Sequence, residues 1–171
     1  MLNIGVIGGS RAEAKYMEMS IELGRLLADS HATVICGGLT GVMEWVSRGV
    51  KEAGGVVVGI LPGMDPTSGN EFLTVRIPTG LGYIRNFIII RASEAVIAID
   101  GATGTLSEAA FALSEGKSVI VLGELEIDHL KIDDGKLLYA KTPGEAVKLA
   151  LKEAEKERGR AARSNWPPGT E

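Results

Sequence analysis

Three times in this chain an apolar run rich in β-branched residues ends in glycines and passes at once into an apolar stripe of helical spacing. Asn3 to Ile7 closes in Gly8-Gly9-Ser10 before Tyr16, Met19, Leu23, Leu26 and Leu27. Ala32 to Cys36 closes in Gly37-Gly38-Leu39-Thr40-Gly41 before Val42, Met43, Val46, Val50 and Ala53. Ala95 to Asp100 runs through Gly101-Ala102-Thr103-Gly104-Thr105 into Leu106, Ala109, Ala110 and Leu113. Each unit reads as strand, tight turn, helix. Strands joined by helical crossovers lie parallel, and a parallel sheet needs cover on both faces. The expected fold is therefore α/β, a three-layer parallel sheet with helices on both faces. Right-handed crossovers bring all three glycine turns to one edge of that sheet, at the carboxyl ends of the strands, where ligands collect.

The remaining segments fit the same plan. Gly54-Gly55 stops the second helix, Val56 to Leu61 is a buried strand ended by Pro62, and Phe72 to Ile77 is a strand ended by Pro78-Thr79-Gly80. Lys117 to Gly123 contains the strand Val119 to Leu122, and Leu137 to Ala140 a short one. Tyr83 to Ser93 holds Phe87-Ile88-Ile89-Ile90, which has strand propensity, yet it lies between two strands and must cross over them, so a helix is expected. Such a helix, apolar nearly all round, is buried on the sheet and against a second subunit, predicting a homodimer or higher homo-oligomer. Thr142-Pro143-Gly144-Glu145 starts a last helix with a capping box. Residues 63–70 are polar and either connect at the surface or close over the cleft. One domain is expected over residues 1–157, with 158–171 a polar tail whose Trp166 either frays with it or docks.

Composition excludes several classes of function. A net charge of -4 with 5% aromatic residues rules against a polyanion-binding surface or a stacking platform for single strands, so no nucleic acid is expected. Cys36 is the only cysteine and suits a reducing cytoplasm. No apolar stretch reaches the ~18 residues of a membrane span, and neither a leader nor a membrane partner is expected. The acidic loop Glu124 to Gly135 carries Asp128, His129, Asp133 and Asp134 without metal-ligand spacing, so no metal is expected.

The glycine turns aim free N–H groups and helix dipoles at one place, which makes them candidate phosphate sites: Gly8, Gly9, Ser10, Gly37, Gly38, Thr40, Gly41, Gly101, Ala102, Thr103, Gly104 and Thr105. Glu108 has two explanations. Thr105-Leu106-Ser107-Glu108 fits a capping box, and a carboxylate beside a phosphate-binding turn also suits a sugar-hydroxyl acceptor or a general base.

Four motifs taken together carry a family resemblance: Cys36 to Met43; Gly54-Gly55 with Val58-Gly59-Ile60-Leu61-Pro62; Tyr83-Ile84-Arg85-Asn86; and Gly101 to Glu108. The chain resembles, over nearly all of residues 1–155, the Rossmann-like superfamily long mislabelled "lysine decarboxylase". That superfamily includes the cytokinin-activating phosphoribohydrolases known as Lonely Guy proteins and the molybdenum cofactor carrier proteins. The hydrolases carry Pro-Gly-Gly-x-Gly-Thr-x-x-Glu and an arginine followed by lysine. Here those places hold Asp100-Gly101-Ala102-Thr103-Gly104-Thr105-Leu106-Ser107-Glu108 and Arg85-Asn86. The resemblance is closer to the carrier branch. It implies that Gly101 to Thr105 hold a phosphate and that Arg85 and Glu108 face the ribose, both being catalytic if the chain is a hydrolase. The expected function is carriage or storage of a phosphorylated nucleotide or nucleotide-like cofactor, the molybdenum cofactor being the candidate cargo, with no cofactor otherwise required. The alternatives are a nucleoside 5′-monophosphate phosphoribohydrolase and an oligomeric scaffold without ligand.

Overall fold

Seven parallel strands form one sheet in the order β4-β3-β2-β1-β5-β6-β7. The structure is a computed structural model and describes residues 1–101, 103–124 and 135–161. The strands are β1 (Asn3–Gly8), β2 (Thr33–Cys36), β3 (Val56–Leu61), β4 (Val75–Pro78), β5 (Ala95–Ile99), β6 (Ser118–Leu122) and β7 (Lys136–Ala140). The helices are α1 (Met17–Asp29), α2 (Val42–Glu52), α3 (Asn86–Arg91), α4 (Thr103–Ser114) and α5 (Pro143–Ala161). Chain order runs outward from β1 to β4 and then returns to the other side of β1 as β5, so the winding reverses between β1 and β5. A crevice opens at such a reversal because the adjoining turns leave in opposite directions.

Alternation along the central strands divides the core in two. Ile4, Val6, Ile97 and Ile99 face a layer made by Leu23 and Leu27 of α1, Val46 and Val50 of α2, and Ala150 and Ala154 of α5. Ile7, Val96 and Ala98 face Ile89 and Ile90 of α3 with Ala109, Ala112 and Leu113 of α4. Both faces of the sheet are therefore covered, as the strand-helix alternation predicts.

Several boundaries differ from the sequence expectation. β4 begins at Val75 rather than Phe72, because Asn70 turns the preceding segment: its Oδ1 accepts from Phe72 N at 3.1 Å and its Nδ2 donates to Leu39 O at 3.0 Å. The stretch at 63–70 packs beside β3 and contributes nothing to the cleft described below. α5 starts on the expected cap, with Glu145 N donating to Thr142 Oγ1 at 3.2 Å, while the Glu145 carboxylate accepts from Lys141 N at 2.8 Å. The same helix runs on to Ala161, so a tail beginning at 158 is corrected. Arg158 pairs with Glu94 at 2.6 Å and Arg160 with Glu157 at 3.0 Å. Asp128, His129, Asp133, Asp134 and Trp166 lie outside the described residues. No described helix is long and apolar enough to cross a membrane.

α1 and α2 cross at two glycines. A Cβ on Gly49 would strike Ile21 O, and one on Gly24 would strike Val46 O. Overpacking a helix crossing forces backbone shifts, so Gly49→Leu is expected to lower stability by about 3 kcal/mol in urea denaturation.

Candidate functional site

A cleft of about 600 Å³ lies at the carboxyl edge of the sheet where β1 and β5 part. Gly8, Gly9 and Ser10 follow β1, Gly37 follows β2, and Asp100 and Gly101 follow β5; all line it. Gly104, Thr105 and Glu108 enter from the first turns of α4, and Arg85 and Asn86 from the start of α3. Nine of the residues named from sequence thus come together: Gly8, Gly9, Ser10, Gly37, Arg85, Gly101, Gly104, Thr105 and Glu108.

Others of that set stand behind the cleft and brace it. Thr40 Oγ1 donates to Ser10 O at 3.1 Å, and Val42 N donates to Gly9 O at 3.1 Å. Gly41, at φ +69°, lies against Gly9 O with no room for a Cβ, which locks the first glycine turn onto the second. Gly38 turns toward Leu61, Gly59 and Leu73, away from the opening. Thr103 lines a neighbouring cavity rather than the cleft itself. Ala102 lies outside the described residues.

Arg85 ends a single 3-10 turn at Gly82–Arg85 and is 7% exposed. Its guanidinium lies directly across Gly37, where any Cβ would collide with it. Among the described residues its buried Nε has no hydrogen-bond partner. Burial pushes the Arg85 pKa down, and the charge of Glu108 opposes that. A buried cation without a bonded carboxylate is costly to hold, and the same arrangement draws an anion.

Glu108 does not cap its helix. α4 begins at Thr103, three residues before the Leu106 start that the capping box requires, so Thr105 is already inside the first turn and packs on Gly101. The capping explanation of Glu108 is therefore corrected: the carboxylate faces the cleft. Burial pushes its pKa up to about 7, against the pull of Arg85. A carboxyl poised near neutrality serves either as a base or as a protonated donor.

Gly104 takes an ordinary helical conformation, and a Cβ there would meet nothing within 4 Å. Gly104 therefore needs no backbone conformation reserved for glycine. What matters is the open space beside it. Asp100, by contrast, has φ +47°, in the left-handed region that aspartate tolerates and that proline, locked near -65°, cannot enter.

Arg11, Tyr83, Asn86 and Asp100 also line the cleft, though none was among the site residues expected from sequence. Arg11 follows the first glycine turn directly and Asn86 adjoins Arg85, so chain proximity to chosen residues was the available signal. A second cavity of about 400 Å³, lined by Ile84, Phe87, Ile90 and Phe111, opens beside the first and shares Tyr83, Asn86, Gly104 and Glu108 with it. Phe87 and Phe111 meet edge to face there, with centroids 4.2 Å apart. The buried Oδ1 of Asn86 has no partner among the described residues. Nor does any group of three His, Cys, Asp or Glu among them form a metal site.

A parallel sheet with a glycine-lined cleft at its winding reversal defines a Rossmann-like α/β protein. Residues 1–147 match the SLOG cluster4 family, and the chain belongs to that family. The structure of the molybdenum cofactor binding protein from the phototrophic bacterium Rippkaea orientalis superposes with a TM-score of 0.80 at 33% identity, covering 88% of this chain and 96% of that one. The molybdenum cofactor carrier protein of Chlamydomonas reinhardtii gives 0.82 at 28% identity, covering 91% and 99%. A probable cytokinin riboside 5′-monophosphate phosphoribohydrolase of Oryza sativa subsp. japonica is 36% identical over 121 residues, 68% of this chain but only 46% of the rice protein.

The Glu108 carboxyl makes stability depend on pH in a stated direction. Its folded pKa of about 7 exceeds the ordinary 4.5, so between those values the folded chain binds more protons than the unfolded one. The contribution of Glu108 to stability is then largest at the acid end and is lost as pH rises from 4.5 to 7. Urea denaturation of the ligand-free protein is expected to show that loss. Glu108→Gln should remove it, leaving the variant more stable than the parent at pH 8.

Proposed function

We propose that the cleft binds a phosphorylated nucleotide or nucleotide-like cofactor and carries it intact, with the molybdenum cofactor as candidate cargo. The observation that carries this reading is the Arg85 guanidinium, buried on Gly37 without a hydrogen-bonded carboxylate at the floor of a cleft onto which three glycine turns open. The first turn of α4 enters the cleft at Gly104 and Thr105, and a helix N-terminus there beside the glycine backbone of the first turn suits a phosphate held by backbone in a chain of net charge -4. Carriage over cleavage is favoured by Asp100: at φ +47° this turn has a shape that the proline of the hydrolase motif cannot adopt. The carrier proteins are also matched over nearly their whole length. The lone Cys36, buried in the core, suits the reducing cytoplasm.

A second reading, a nucleoside 5′-monophosphate phosphoribohydrolase, has one specific observation behind it. Glu108 stands near neutrality within the field of Arg85, an arrangement able to move a proton while stabilising charge. Incubation with purine and pyrimidine monophosphates separates the two, since intact retained ligand marks a carrier and free base with ribose 5-phosphate marks a hydrolase. In a carrier, Glu108→Gln should weaken binding by about 1.5 to 3 kcal/mol with no turnover in either form. In a hydrolase it should cut turnover on the order of 100-fold with binding retained.

Gly104→Val tests the phosphate position cleanly because the backbone accepts a side chain there. The melting temperature should hold while monophosphate affinity falls at least about tenfold, the cost of filling a site built for a polar group. Unchanged affinity in the folded variant would place the phosphate elsewhere.

We also propose that a second copy of the chain covers Tyr83, Ile84, Phe87 and Ile88, which are 92%, 63%, 45% and 37% exposed along the 3-10 turn Gly82–Arg85 and α3. Light scattering at micromolar concentration should give a dimer or larger, and Phe87→Glu should shift the mass to that of a monomer.

A further inference from the structure

We propose that Asn86 selects the heterocycle of the ligand, its side-chain amide reading a ring edge that presents an N–H donor beside an acceptor. The inference rests on the nucleotide-binding reading above and adds to it the part of the ligand that distinguishes one nucleotide from another. Asn86 lines both cavities, standing where the polar cleft of Arg85, Ser10 and Gly104 gives way to the apolar cavity of Phe87, Ile90 and Phe111. A nucleotide has the same division, a charged and hydroxylated end joined to a flat ring. With its phosphate at the glycine turns, the ring would enter the apolar cavity past Asn86.

The amide itself supplies the second observation. Its Oδ1 is buried and has no donor among the described residues, although a buried carbonyl oxygen ordinarily finds one. Folding does not account for keeping a polar side chain there, since a leucine of similar size would satisfy the packing without leaving an acceptor unmade. α3 is anchored by the fully buried Ile89 and Ile90, which fixes at the junction the backbone that carries the amide. A primary amide offers one acceptor and one donor edge side by side in a plane, which matches a ring N–H next to a carbonyl or imine nitrogen. The adjoining Arg85 Nε, also without a partner, serves the anionic part of the same ligand.

Equilibrium binding of three probes tests this. Inosine 5′-monophosphate has a ring N–H beside a carbonyl, purine riboside 5′-monophosphate has the same ring without either group, and ribose 5-phosphate has no ring. The parent protein should bind the inosine compound about tenfold more tightly than the purine riboside compound, the discrimination expected when a buried polar group would otherwise be left unmade. Asn86→Leu should bring those two affinities together, leave ribose 5-phosphate binding unchanged and melt no lower than the parent. The proposal is overturned if the preference is absent from the parent or survives Asn86→Leu. Failure of the parent to bind any of the three, ribose 5-phosphate included, would instead overturn the nucleotide-binding reading and this inference with it.

Discussion

A guanidinium held in the interior against a bare α-carbon is the constraint on which the site depends. Arg85 lies across Gly37 because nothing projects from that residue, and it stays there because the helix that follows it is clamped into the second core by Ile89 and Ile90. Moving a charge out of water is unfavourable unless something answers it. Here the answering charge inside the protein is Glu108, which acts through its field and is itself driven toward neutrality by burial. The pair therefore leaves positive charge at the floor of the cleft for an incoming anion, and binding an anion there would in turn raise the Glu108 pKa further.

Around that charge the three glycine turns are not equivalent. The turn after β2 does most of its work as a brace: Gly41, Thr40 and Val42 hold the turn after β1, so that Gly8, Gly9 and Ser10 present their backbone to the cleft. The turn after β5 presents Asp100, Gly101 and Gly104 from the opposite wall. Because the sheet winding reverses between β1 and β5, these walls diverge, and the space between them persists without any side chain being sacrificed to make it. The same divergence lets the apolar cavity of α3 and α4 join the cleft along Asn86, Gly104 and Glu108.

The apolar segment around Phe87 shows how local and tertiary information divide. Its β-branched run favours a strand by composition, yet only a helix returns the chain from β4 to β5, and the structure has the helix. That helix buries Ile89 and Ile90 and leaves Phe87 and Ile88 half exposed, so the pattern that looked apolar all round resolves into one face for the sheet and another open to solvent. The Thr105 to Glu108 spacing misled for the opposite reason. A capping box is a statement about where a helix begins, and α4 begins three residues earlier, which no spacing within the motif could reveal.

Periodicity and glycine placement by themselves determined seven strands, their parallel arrangement under helices and the gathering of the glycine turns on one edge, because a parallel sheet has few ways to cover both faces and crossovers have one hand, while the order of the strands came from the structure. The sequence also marked Glu108, and the family resemblance carried by its motifs added Arg85. Only the tertiary structure decided which glycines face the cleft and which support it, since both kinds occupy the same turns and differ in what lies across from them. It alone placed Asn86 at the joint of two cavities and turned Asp100 into the left-handed region, for burial and backbone direction at those points are set by elements distant in the chain.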